Sequence, residues 1–395
     1  MQITFVDTPH SWKKMLPLSY TRPVAEMRVG ILKIREKWEH ALSPQAVFFK
    51  TEDYLSPLFG AATSKTLHIL GNVMPTPEVI AAIKLLKEDE ALLCGEEMIA
   101  AFADPADEWE VANRKLVKVD AADQIHFPWD IFRVNGEQIK YDYEVLTSGR
   151  LSAKLDDPHT RVYGEAVFLE EGAKVKAATL NTENGPIYIG KGAEIQEGAV
   201  IRGPFALCDH STVNMGAKIK GDSTIGPHSK VGGEVSNAVI QGYSNKGHEG
   251  FLGNSVIGEW CNLGADTNNS NLKNNYANVK MWDFESGRFK DTGLQFCGLI
   301  MGDHSKCGIN TMFNTGTTVG VSANIFGDGF PRNIIPSFAW GGASGFTTYQ
   351  TKKAFETAEL VMQRRSKALT DQDKAVLSHI FEITAQYRVW EKNSK

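Results

Sequence analysis

Apolar positions change their rhythm twice along the chain. Up to about residue 150, short apolar runs at 2–7, 66–71 (TLHILG) and 91–94 alternate with segments such as 77–87 that have helical spacing. Strands alternating with helices predict a largely parallel sheet covered by helices. From about 151 to 350 the texture becomes short apolar beads separated by Gly, Asn and Thr. Beyond that, Val376, Ile380, Ile383, Tyr387 and Trp390 step by 4, 3, 4 and 3, the stripe of an amphipathic helix. Thr370 is its expected N-cap, and 352–367 reads as a second helix. The expected domains are an α/β domain over 1–150, a repeat domain over 151–350 and terminal helices over 351–395.

The middle region repeats with a period of six. Ile189, Ile195, Ile201, Leu207, Val213, Ile219, Ile225 and Val231 follow one another at that spacing. A small residue stands four positions after six of the first seven, Phe205 being the exception. The pattern returns as Met301, Cys307, Phe313, Val319 and Ile325, with Ile257 and Leu263 in between. Neither a helix nor an alternating strand has this period. A parallel β-helix does: three hexapeptide faces close a coil, the aliphatic residue points inward, and the small one lets the chain turn the corner. Between Val231 and Met301 the repeat is largely lost, and residues 268–293 do not fit a prism wall. Long loops on rigid scaffolds often carry function. A prism has flat faces, so its sites are expected between neighbouring prisms. That predicts an oligomer, and three sides suit a homotrimer.

Length and charge narrow the class. A chain of 395 residues exceeds one ordinary core. With 42% apolar and 23% charged residues it reads as globular, and a net charge of −5 provides no basic field for nucleic acid or membrane. The start MQITFVDTPHSWKK has no apolar core of a signal peptide, and no apolar run is long enough to span a bilayer. The five Cys form no CxxC pair, so reduced thiols and a cytoplasmic location are expected. His210, His228 and His304 lie in or beside the repeat without the close pair plus third His of a prism zinc site.

The repeat resembles the left-handed β-helix of hexapeptide acyltransferases, and its handedness is taken from that resemblance. Residues 245–254 (NKGHEGFLGN), then Ile257-Gly258 and Asn262-Leu263-Gly264-Ala265, resemble the bifunctional N-acetylglucosamine-1-phosphate uridylyltransferase/glucosamine-1-phosphate N-acetyltransferase family. The segment 16–25 (LPLSYTRPVA) resembles the N-terminal signature of a shortened variant branch. The resemblance implies acetyl transfer from acetyl-CoA to an amino-sugar 1-phosphate, as in UDP-N-acetylglucosamine-type synthesis. The amine must lose a proton, and an imidazole suits that task. By resemblance the base is His248, and Phe251, Asn262 and Asn271 are substrate contacts. Phe251 replaces a family Tyr, so a hydroxyl is lost, and Asp266 replaces a family Gly. Ile309 and Gly327 are the expected backbone contacts to acetyl-CoA on the later coils, with Arg332 a weaker candidate for its phosphate.

The N-terminal half departs further. The family's Gly-rich phosphate loop is absent, since the first Gly is Gly30. Arg22 and Arg28, with Lys13 and Lys14, are candidates to supply the missing positive charge. Asn72 falls where the family has a metal-binding Asp, and Asp130 is an alternative ligand for Mg²⁺. The resemblance implies nucleotidyl transfer from UTP or dTTP to a sugar 1-phosphate as a second activity, and these departures weigh against it. Two alternatives remain at this point. One is a hexose-1-phosphate nucleotidyltransferase whose β-helix only assembles the oligomer. The other is a non-catalytic sugar-nucleotide-binding protein.

Overall fold

The computed structural model describes residues 1–394. Two units divide it: Met1–Met27 with Leu32–Phe127, and Arg28–Ile31 with everything from Pro128 onward. No helix among the described residues is long and apolar enough to cross a membrane.

The first unit runs β1 (Gln2–Val6), α1 (Pro9–Lys14), α2 (Ile34–Leu42), β2 (Ala46–Lys50), α3 (Ser56–Phe59), β3 (Thr66–Leu70), α4 (Pro77–Leu85), β4 (Glu90–Cys94), β5 (Glu97–Ala103) and β6 (Lys115–Val119). Its sheet has the order β2-β1-β3-β5-β4-β6, and only β5 runs against the others. The largely parallel sheet and the strands at 2–7, 66–71 and 91–94 are thus present. Every residue of β3 is buried, as a strand covered on both faces requires. Trp38 of α2 is fully buried, and its indole Nε1 donates to the Val73 carbonyl at 2.8 Å. Because β1, β2 and β3 are mutually parallel, Asp7, Thr51 and Gly71 emerge together at one sheet edge. In open α/β sheets that carboxyl edge is where ligands bind.

The second unit begins with α5 (Pro128–Thr147), which packs on the repeat region. Ile139 lies among Phe168, Tyr188, Ala206 and Cys208. The Asn135 amide donates to the Asp222 carbonyl at 2.9 Å and to Thr224 Oγ1 at 3.0 Å. Gly136 lies so close to the Asp222 carboxylate that a methyl group there would collide with it. These contacts place residues 128–147 with the solenoid, whereas the sequence pattern groups them with the first 150.

From residue 161 the chain winds into a parallel β-solenoid. The inward residues stack in vertical rows, as the parallel register shows. One row is Leu180, Ile201, Ile219, Val235 and Leu252. A second is Ile189, Leu207, Ile225, Ile240, Ile257, Met301, Val319 and Ile335. A third is Ile195, Val213, Val231, Lys246, Leu263, Cys307 and Ile325. All but Lys246 belong to one continuous apolar core.

The rows correct the expectation that the repeat breaks after Val231. Successive members of the second row are 18 residues apart from Leu207 to Ile225, then 15 to Ile240, then 17 to Ile257. The coils continue but are shortened, and the period of six slips. What leaves the wall is a narrower segment after Asn268–Asn269, which carries an antiparallel hairpin of Lys280–Asp283 and Arg288–Asp291.

Three residues past each second-row member the backbone turns at positive φ. His210, His228, Tyr243, Trp260 and His304 occupy successive corners with φ between 53° and 61°. Their rings stack at centroid spacings of 5.0, 5.0, 4.3 and 6.3 Å. The three His of the repeat are thus rungs of an aromatic spine.

At the C-terminus are α6 (Thr351–Gln363) and α7 (Asp371–Ile383). Thr370 caps α7 as expected, its Oγ1 accepting from the Asp373 amide at 3.1 Å in a capping box. The stripe does not continue as one helix to Trp390. Thr384 donates its hydroxyl back to the Ile380 carbonyl at 2.6 Å, and Arg388 bonds Thr384 at 3.2 Å and Glu391 at 2.7 Å. Tyr387 therefore closes a short 3-10 turn and Trp390 lies in the next.

Truncating a row member should open a cavity that rigid neighbouring coils cannot fill. Ile201→Ala is expected to cost about 2–5 kcal/mol, and Thr370→Ala about 1 kcal/mol. Both are read as shifts of the denaturant midpoint.

Candidate functional sites in the two units

In the solenoid, the short strand Asn245–Lys246 ends in a turn, Gly247-His248-Glu249-Gly250, that leads into Phe251–Glu259. The coil beneath is stripped to admit it. A Cβ on Gly233 would lie 2.9 Å from the His248 carbonyl oxygen, and one on Gly232 would strike the Gly247 carbonyl. The turn is held from within. Asn214 Nδ2 donates to the Gly247 carbonyl at 2.7 Å. Lys246 Nζ donates to the carbonyls of Gly232 at 3.1 Å, His248 at 2.7 Å and Glu249 at 3.3 Å. Lys246 is 2% exposed, while His248 is exposed. Burial pulls the Lys246 ammonium down to about 8, against the attraction of Glu249 and Asp266.

The turn opens onto a cavity of about 620 Å³. His248, Asn262 and Ile309 all line it, so three of the sequence-predicted residues are brought together. Its wall carries the rings of Tyr243 and Trp260 and four cations, Lys230, Lys306, Arg364 and Arg365. No carboxylate is among the described lining residues. Arg365 is anchored through Nη2 to the His228 carbonyl at 3.1 Å. Lys306 donates to the His304 carbonyl at 2.9 Å, and burial lowers its pKa. Such a cavity favours an anionic ligand.

The other expected contacts lie elsewhere. Phe251 covers Gly253, where a Cβ would strike its ring, and Asn271 donates from Nδ2 to Asn254 Oδ1 at 2.8 Å beside it. These two form a second cluster outside the His248 cavity. Gly327, exposed at φ 99°, joins neither. Arg332 lines a separate cavity of about 690 Å³ with Trp282 and Trp390. Sequence reasoning missed Asn214, Arg364 and Arg365, and it noted Lys246 only as the residue after Asn245, which stands where the family's motif opens with Lys. The inward place of Lys246 in the third row was hidden because the period of six slips there.

In the first unit, Asp7 leaves β1 at the carboxyl edge. Its oxygens accept from the Val24 amide at 3.2 and 3.3 Å and from Thr51 Oγ1 at 2.7 Å. Burial pushes this carboxyl up to about 7, with the bonds from Thr51 and Val24 opposing. The segment around Arg22 is not an open loop. Arg22 is 6% exposed, and Trp12 and Ser19 exchange hydrogen bonds with each other's carbonyls at 2.9 and 2.7 Å. Arg28 falls in the second unit, where its Nε donates to the Gln241 carbonyl at 3.3 Å and its guanidinium also bonds the Ile31 carbonyl. Asn72 is buried, its Nδ2 donating to the Ile125 carbonyl at 3.0 Å while its Oδ1 has no partner among the described residues. Asp130 belongs to the second unit and pairs with Arg133 at 3.1 Å. Arg22 and Asn72 thus fall in the first unit, and Arg28 and Asp130 in the second. Among the described residues no three His, Cys, Asp or Glu side chains gather as a metal site. One neutral amide oxygen and a carboxylate already engaged by Val24 and Thr51 do not fit a divalent cation by themselves.

Asp7 makes stability depend on pH. Its folded value lies above the ordinary carboxyl range, so its contribution is full below about pH 4 and is lost as pH rises through about 7. Asp7→Asn is expected to remove that decline and to be more stable than wild type at about pH 8. Urea midpoints at about pH 4.5, 6 and 8 check it.

Residues 3–151 match the family described as "Sugar nucleotidyl transferase". The "Bifunctional protein GlmU" of Methanocaldococcus jannaschii is 33% identical over 193 residues, which are 49% of this chain and 40% of that protein. The "Bifunctional sugar-1-phosphate nucleotidylyltransferase/acetyltransferase" of Sulfurisphaera tokodaii is 30% identical over 160 residues, 40% of this chain and 37% of that one. The chain therefore matches about two fifths of the length of these relatives. Among solved structures, the polySia-specific acetyltransferase NeuO covers 54% of this chain and 99% of its own at 16% identity, with a TM-score of 0.29, too small a likeness to carry an argument. Residues 3–151 thus match a sugar nucleotidyl transferase family, and the chain is similar over part of its length to proteins named as bifunctional sugar-1-phosphate transferases.

Proposed function

We propose that the chain is a transferase acting on sugar 1-phosphates. Its solenoid unit would move an acetyl group from acetyl-CoA to the amine of an amino-sugar 1-phosphate. The observation that carries this reading is the cavity in which His248, Asn262 and Ile309 meet four cations and no carboxylate. A phosphorylated sugar brings negative charge to that cavity, whose wall also includes Tyr243 and Trp260. The names of the relatives from M. jannaschii and S. tokodaii, both called bifunctional, support it.

In this reading the free amine attacks the thioester carbonyl carbon and His248 takes the amine proton. The C–N bond forms, the C–S bond breaks, and the CoA sulfur leaves with a proton returned from the imidazole. Asn262 orients the sugar, and Ile309, which lines the same cavity, offers backbone to the pantetheine arm. Phe251 and Asn271 lie outside the cavity of their own chain. We place the complete site between subunits of a homotrimer, where these two residues wall the cavity of the next subunit.

A second reading concerns the first unit. Asn72 offers a neutral oxygen where nucleotidyl transfer calls for an anionic metal ligand, and Asp7 is engaged by Val24 and Thr51. These observations favour a unit that binds a sugar nucleotide without transferring it.

Both readings can be tested by product release. With acetyl-CoA and glucosamine 1-phosphate, wild type should release free thiol, and His248→Ala should lower kcat by about 10²–10⁴-fold. Absence of thiol release with every amino-sugar phosphate sinks the acetyl-transfer reading. With UTP or dTTP, Mg²⁺ and a sugar 1-phosphate, the second reading expects binding in calorimetry and no pyrophosphate; steady pyrophosphate release overturns it.

A further inference from the structure

We propose that Lys246 is the positioning residue of the His248 turn, an ammonium set into the apolar column to hold the turn's carbonyls and so fix the direction of the imidazole. The inference rests on the acetyl-transfer reading for its functional consequence, though its geometry stands apart from it.

Lys246 stands where an apolar residue belongs. It follows Val231 and precedes Leu263, Cys307 and Ile325 in a row that is otherwise apolar. A charge there is costly, and an apolar residue of similar volume would serve the column as well or better. Its bonds match its donors. An ammonium has three, and each finds a carbonyl: Gly232 on the coil below, His248 and Glu249 on the turn. Among the described residues no carboxylate lies within salt-bridge distance of Nζ, so backbone carbonyls alone receive its hydrogen bonds. With Asn214 on the Gly247 carbonyl, the successive carbonyls 247, 248 and 249 are all held from beneath. The imidazole is left exposed on a pinned backbone. A general base must sit within hydrogen-bond reach of the proton it takes, and a displacement of about 1 Å can cost about 10²-fold.

The charged and titratable groups facing Lys246 are Glu249 on its own turn, Asp266 on the next coil and the Cys307 thiol. Glu249 is itself shared with Lys218 at 3.7 Å. Burial outweighs the three and leaves the ammonium at about 8. Above that pH a neutral amine brings two donors to three carbonyls, so turnover should fall. Stability moves the other way. The folded value lies below that of a free lysine, so the folded state gains stability as pH rises from about 8 toward 10.5. A merely structural lysine would not separate the two.

The experiment compares wild type with Lys246→Met and Lys246→Gln in thiol release, in thermal midpoint and in amide hydrogen exchange of the peptide over 247–253. The expected result is a kcat at least tenfold lower for Lys246→Met, with KM for acetyl-CoA within about threefold and the thermal midpoint unchanged or higher. Exchange over 247–253 should quicken, and Lys246→Gln, which keeps two donors, should fall between. Wild type should lose turnover above about pH 8 without losing stability. Wild-type kcat and exchange in Lys246→Met overturn the proposal, as does an activity loss that merely follows a fall in midpoint. If Lys246→Met does not fold, Lys246→Gln and the wild-type pH profile decide on the same criteria. If wild type releases no thiol at all, the acetyl-transfer reading fails, and exchange alone then decides the positioning role: faster exchange at an unchanged midpoint sustains it, unchanged exchange ends it.

Discussion

Vertical stacking of inward side chains is the constraint on which the solenoid unit depends. Each parallel coil sets its aliphatic residue on the one below, so Ile201 rests on Leu180 and carries Ile219. The same register acts on everything else at that height. Gly232 and Gly233 are bare because the next coil's turn lies on them, and a ring at one corner meets a ring at the next. The site is therefore part of the column: the turn that presents His248 is the ordinary corner of a coil, shortened and held from inside.

Much of this was legible in the sequence because spacing along the chain maps directly onto height in a solenoid. The run from Ile189 to Val231 fixes seven steps of six, and all eight residues are buried. Thr370 was legible for a different reason, since a cap is a local interaction. The coils around Lys246 were not legible. A coil of 15 residues leaves every inward residue in place but shifts its position along the chain, so a continuous wall reads as a lost repeat. The allegiance of α5 was hidden too, because only the fold reveals that Asn135 and Ile139 find their partners on the repeat. At the C-terminus, periodicity carried Tyr387 and Trp390 past the point where Thr384 bends the chain back.

The same limits apply to the sites. Resemblance named His248, Asn262 and Ile309, and they line one cavity. Phe251 and Asn271 lie close to His248 and Asn262 along the chain and yet stand apart from the cavity. The cations from the end of α6 could not be read at all, since residues 364 and 365 lie more than a hundred positions from His248. In the first unit the difficulty is one of chemistry. Its sheet has the usual ligand edge, but the groups at that edge are a protonatable Asp7 and a neutral Asn72, and the signature segment that follows β1 is largely buried.

The ring spine has a mechanical consequence. Rows of interchangeable Ile, Val and Leu resist sideways motion poorly, because one aliphatic contact is much like another. Five aromatic residues at successive corners act as keys in a lock. Displacing one coil against its neighbour would forfeit ring overlap worth about 0.5–1.5 kcal/mol per pair. The sheets supply cohesion, and the spine supplies indexing. It runs past Tyr243 and Trp260, beside the wall from which the imidazole is presented, where slippage would do the most harm.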